Sequence, residues 1–220
     1  VPTESTKQSI GPSDFSLVLG GPLYQLLRRA HLEDDALTLV RRRVVVIALF
    51  TWLPLFVLTL IQGAAFKGSV AVPFLYELEV HIRFLVALPL LVLAELVVHK
   101  RMRTVIQSFR DRSLIPEKDS SRFDAAILSA FRLRNSLIAE LLLVLIVYVL
   151  GVQVLWRQYF ALGTATWYAT PSGSGTDLTI AGAWFGYVSL PIFQFLLCRW
   201  YFRIFIWARF LWHVSKIELA

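Results

Sequence analysis

Cysteine occurs once in this chain, at Cys198, and methionine once, at Met102. A lone thiol excludes an internal disulfide and every Cys-based zinc or iron–sulfur pattern, because those need several thiolates at fixed spacing. Cys198 is therefore read as a packing residue. HExxH, CxxC and a glycine-rich phosphate cradle are all missing, and the PSGSGTD turn at 171–177 has the spacing of neither a P-loop nor a nucleophile elbow. No serine, histidine and aspartate fall at a shared depth. The expectation is a protein that is not an enzyme and has no metal or cofactor. Residues 1–13 lack an apolar core, so a secretory signal is not expected there. Acidic residues are also few, 15 against 22 Lys and Arg, which leaves a net charge of +7.

Apolar residues supply what is missing elsewhere. A hydrophobic content of 57% and a mean hydropathy of +0.64 are too high for a domain surrounded by water. Four apolar runs, 44–62, 80–98, 137–155 and 178–197, are each long enough for a hydrocarbon core of about 30 Å. They predict an all-α polytopic membrane bundle with four transmembrane helices.

The basic residues orient it. Nineteen of the 22 lie on one side of these runs: six before the first, nine between Lys100 and Arg134, and Arg199, Arg203, Arg209 and Lys216 at the end. Only Lys67, Arg83 and Arg157 stand on the other. By the positive-inside rule both termini and the middle loop are cytoplasmic, in an inner (plasma) membrane. Anionic lipid headgroups are the natural partners of such a charge, at about 1 kcal/mol per basic residue near the surface. Arg28, Arg29, Arg41, Arg42, Arg43, Arg209, Trp207 and Trp212 are the lipid-interface candidates. Nothing gathers the basic residues into a groove for nucleic acid.

Along the chain, 1–21 is an aperiodic N-terminal segment, and 22–35 repeats Leu23, Leu26, Leu27 and Ala30 at helical spacing opposite Arg28 and Arg29, the pattern of an interfacial amphipathic helix. Residues 36–197 form the four-helix membrane domain, starting from a cap at Asp34 or Asp35. Pro54, Pro89 and Pro191 each remove a backbone donor within a span and predict kinks. Within that domain, 99–136 is expected to protrude as a cytoplasmic helical hairpin. A capping box at Ser121 and Asp124 restarts its second arm, which then runs unbroken to Trp156, 36 residues and about 54 Å. Phe109, Phe123, Ile127 and Phe131 are placed in its seam. The outer loops, with Phe74, Tyr76, Trp156, Tyr159, Phe160, Trp167 and Tyr168, read as an aromatic interface belt. Residues 198–220 form an Arg/Trp-rich amphipathic helix, either lying in the inner headgroup layer or running straight on from the fourth span.

Ionisable residues at membrane depth are costly and point to partners. Glu95, Glu140, Arg199 and Arg203 fall at similar depth near the inner interface and predict one charge network. It is read as a latch between helices, with a proton or ion relay and headgroup binding as alternatives. Glu77, Glu79, His81 and Arg83 crowd the outer start of the second run, as a mixed-sign mouth or as residues that simply snorkel. His81 and His99 share a helix face about 27 Å apart, and one haem between His99 and His213 is a third reading.

The strings LPIFQFLLCRWYFRIFIWARFLWHVSK, EVHIRFLVALPLLVLAE and GPLYQLLRRAHL resemble a family of hypothetical bacterial inner-membrane proteins with no assigned activity. The resemblance covers most of the chain and implies no substrate, cofactor or catalytic residue. It also implies that the chain is part of a longer protein. The sequence thus supports two leading functions: an oligomeric channel or transport-related protein, and a non-conducting scaffold or accessory subunit of a membrane complex. A haem electron carrier comes third. Partner membrane subunits or further copies of the chain are expected in the first two.

Overall fold

A computed structural model describes residues 36–68, 70–111, 119–155, 165–172 and 175–216. The segments expected at 1–21 and 22–35, with Arg28, Arg29, Asp34 and Asp35, lie outside the described residues, as do Trp156, Tyr159 and Phe160. The described chain is mostly helical, with one short β-ribbon.

Helix α1 (Ala36–Ile61) turns a stripe at fourfold spacing inward, with Thr51, Leu55 and Thr59 buried and Ile47 half-buried. Its threonines are satisfied locally: Thr51 Oγ1 donates to Ile47 O at 2.9 Å, and Thr59 Oγ1 to Leu55 O at 2.8 Å. The helix ends where Gly63 takes φ +69° and the Ala64 N–H returns to Thr59 O at 2.9 Å.

The second column consists of α2 (Leu78–His81), a π-helical stretch Ile82–Ala87 and α3 (Leu88–Asp111). The third consists of α4 (Ser120–Arg134), α5 (Leu137–Ile146) and a π stretch Val147–Leu155. A two-stranded antiparallel ribbon follows, β1 (Ala169–Ser172) with β2 (Gly175–Leu178), pairing Ala169 with Leu178 and Thr170 with Asp177. The 171–177 segment is thus the end of a hairpin. The last column consists of α6 (Ile180–Trp184), a π stretch Phe185–Ser189 and α7 (Leu190–Val214).

Two of the three π stretches described sit beside prolines. Pro89 and Pro191 come two residues after a π segment, and the carbonyls four positions back, on Leu85 and Tyr187, lie inside it. A proline ring crowds that carbonyl and offers it no N–H, so local widening relieves the crowding. The Tyr187 carbonyl, which Pro191 cannot bond, accepts instead from the Tyr148 hydroxyl at 3.2 Å. Beside Pro54, Ser189 Oγ donates to Thr51 O at 2.8 Å, tying α1 to the last column.

Among the described residues two helical stretches, Arg41–Ile61 and Ile180–Val214, are long and apolar enough to cross a membrane. The pair Ser121–Arg134 and Leu137–Val152 makes a third if it counts as one span, but it bends by 49°. The expected unbroken 36-residue helix is therefore two helices. The break lies at Asn135–Ser136, where the Ser136 hydroxyl accepts the Ala139 N–H at 3.3 Å and starts a new helix. The first of the pair begins at Ser120, ahead of the predicted Ser121 cap.

Packing divides into two cores. The larger one gathers Leu55, Phe74, Phe84, Leu88, Trp167 and Phe185 where the first, second and last columns meet the loops. The smaller gathers Phe123, Ile127, Ile206, Phe210 and Val214 between α4 and the second half of α7, with Met102 of α3 at its edge. The expected hairpin seam thus forms on α7: Phe123 meets Phe210 edge-on at 5.9 Å. The Phe109 side chain lies outside the described residues. The 198–220 segment, as far as residue 214, continues the last helix without a bend, and its buried face is Arg199, Arg203, Ile206, Phe210 and Val214.

The loop aromatics depart from the expected belt. Trp167 and Phe74 are fully buried and Tyr168 nearly so, with Phe74 5.1 Å from Trp167. Tyr76 remains exposed, with Lys67 Nζ 4.7 Å from its ring centre.

Candidate functional site: a buried charge cluster

Arg199 and Arg203 stand one turn apart on the inward face of α7, and Glu95 faces them from α3. Arg203 Nη1 donates to Glu95 Oε1 at 2.5 Å, and Arg199 Nη1 lies 4.0 Å from the same oxygen. Arg199 Nη2 is also 4.0 Å from Glu140 Oε1 on α5. The four residues predicted to form a network are therefore within ion-pair reach of one another, on three columns. Glu95, Arg199 and Arg203 are all buried.

Sequence reasoning missed a fifth member. Arg43, assigned to the headgroups with Arg41 and Arg42, turns inward from α1 and places Nη2 3.6 Å from Glu95 Oε2. Arg41 and Arg42 are exposed. The signal was present in the spacing, because Arg43 extends the inward 47, 51, 55 and 59 stripe by one more step of four. Glu95 thus holds arginines from α1 and α7, and the cluster ties all four columns together.

Isolated ions at such a site are strongly disfavoured, and close pairing with full hydrogen bonding is what makes the burial tolerable. Three arginines and two glutamates sum to +1, so the cluster is not neutral by itself. The space beside it, lined by Arg134, Glu140, Arg199 and Arg203, is about 10 Å³, the size of one water.

The outer candidates are spread through the fold. Glu77, half-buried, accepts from the Trp167 indole N–H. Burial pushes its carboxyl above the ordinary range; the Trp167 hydrogen bond opposes this, the neighbouring Glu79 adds to it and Arg83 opposes it. Glu79 pairs with Arg83 one turn on. His81 Nδ1 accepts from Trp52 Nε1 at 3.2 Å, and its ring packs edge-on against Phe74. The Glu77 and His81 contacts serve the larger core, and the Glu79–Arg83 pair lies at the surface.

Of the lipid-interface candidates on α7, Arg209 and Trp212 are exposed, and Trp207 stacks on Phe210 at 5.4 Å. His213 is exposed, with Nδ1 2.7 Å from Arg209 O; the His99 side chain lies outside the described residues. Among the described residues no cluster of three His, Cys, Asp or Glu side chains is arranged for a metal ion.

Comparison with protein-family models, with curated proteins and with solved structures gives no match to this chain.

Proposed function

We propose that this chain is a multi-pass inner-membrane protein with four spans and cytoplasmic termini that serves as a non-conducting scaffold or accessory subunit of a membrane complex. One observation carries this reading: the carboxylate of Glu95 is spent on three arginines from two other columns. A relay needs a carboxylate that can release and regain protons along a wet path. A latch needs one that stays paired.

The four-span topology rests on the second column. It runs beside α1 and α7, its residues 82–98 are apolar save for Arg83 and Glu95, and Glu95 meets Arg43 at the inner end of the 41–61 stretch. A helix held on two crossing neighbours at that level crosses with them. The α4–α7 annex then stands on the cytoplasmic side, where nineteen basic residues lie, and offers a surface for partner subunits. The resemblance to uncharacterised bacterial inner-membrane proteins fits the same reading.

An oligomeric channel or transport protein is the second reading, favoured by the three π-helical stretches in the outer halves of the columns. Such stretches are frequent at functional sites. Proteoliposomes decide between the two. The scaffold reading predicts no ion or solute flux above empty vesicles, and flux abolished by Glu95→Gln would replace it with conduction.

A further inference from the structure

Between α1 and the third column, with the start of α7 as its floor, runs an apolar groove of about 360 Å³ that opens sideways. Val46, Ile47 and Phe50 form one wall, Val147 and Tyr148 the other, and Ile192 lies beneath. From Arg43 to Phe50 it extends about 10 Å along the helix. Its polar side chains are two. The Tyr148 hydroxyl is committed to the Tyr187 carbonyl, which leaves Arg43, at the inner end, as the one charge among the described lining residues.

We propose that this groove is a binding site for one anionic phospholipid of the inner leaflet, its phosphate at Arg43 and an acyl chain along the apolar walls. Charge complementarity argues for that occupant. The cluster to which Arg43 belongs carries one more positive than negative charge, and the Arg43 guanidinium stands 3.6 Å from its closest acid, too far for a short hydrogen bond. A phosphate supplies both the missing charge and the acceptors. The shape agrees: a slot charged at its cytoplasmic end and hydrocarbon-lined towards mid-membrane matches a lipid that stands in its own leaflet. A second copy of the chain matches less well, because the acids at this depth, Glu95 and Glu140, are already in the cluster.

The inference rests on the membrane placement of α1 and α7, and holds for either a scaffold or a channel. Native mass spectrometry of the protein released from nanodiscs tests it, with phosphatidylglycerol and phosphatidylcholine of identical chains in equal amounts. One phosphatidylglycerol per chain is expected, retained about fivefold over phosphatidylcholine. Arg43→Gln should bring the ratio to one, and Arg42→Gln should leave it unchanged. Val46→Trp, on the exposed lip of the groove, should expel the lipid without touching the cluster. A ratio of one in the native protein, or selective retention that survives Val46→Trp, overturns the proposal. So does a dimer that Val46→Trp disperses while no lipid is retained, which assigns the groove to a second copy. A protein that never enters the nanodisc contradicts the membrane placement instead.

Discussion

Arg203 and Glu95, 108 positions apart in the chain, meet at 2.5 Å and join the last column to the second. The pair is enclosed, with side chains 5% and 8% exposed. Removing one partner leaves charge without compensation, so the two should behave as a unit. Glu95→Ala is expected to cost about 3–5 kcal/mol, and the double variant Glu95→Gln with Arg203→Gln less than the sum of its parts. Reversible unfolding in mixed micelles measures the cycle.

Gly182 marks where α6 presses on the outer loop: a Cβ there would run into the backbone carbonyl of Tyr168. That oxygen also accepts the Thr179 N–H at 3.1 Å, so it has little freedom to retreat. Gly182→Ala should destabilise by about 1–3 kcal/mol. The change should show as faster hydrogen exchange in the β1–β2 ribbon before the inner cluster is affected.

Phe210 anchors the annex. Phe210→Ala should cost about 3–5 kcal/mol in the α4–α7 core and release α4 to proteolysis between 120 and 134. The bundle outside it, held by a separate core, should keep its helical content by circular dichroism.

Glu77 gives a pH signature where it meets Trp167. Its folded-state carboxyl is raised, so it favours the folded protein fully below the ordinary carboxylate range, and that contribution is lost as pH rises through the raised value. Glu77→Gln keeps an acceptor for the Trp167 indole and removes the buried charge. Its melting temperature in detergent should exceed that of the native protein at neutral pH, with the difference shrinking on acidification through that window.

Sequence periodicity made the helices legible, together with their common depth markers Glu95, Glu140, Arg199 and Arg203, because burial of charge constrains residue type directly. The bend at Asn135–Ser136 was less visible: a charged-to-apolar gradient runs smoothly across it, and the local cue is only a serine that can cap, with an acidic residue, Glu140, in the first turn after it. Arg43 was placed at headgroup depth by charge alone, and the sign rule does not reveal that its guanidinium also turns towards Glu95. Trp167 and Tyr168 look like interface aromatics in sequence, and only contacts with Phe74 and Phe185, distant along the chain, put them in the core. The two-stranded ribbon depends on the same tertiary packing.

Sidedness of the columns tests the central claim most directly. In a Cys198→Ser background, single cysteines at Ser172, in the outer ribbon, and at Ser121, in α4, can be probed in intact cells with a membrane-impermeant maleimide. Labelling at 172 before permeabilisation, and at 121 only after it, is the predicted result. Equal labelling at both positions before permeabilisation, or recovery of the chain in the soluble fraction, would contradict a bundle that crosses the bilayer with its charge cluster at the inner face.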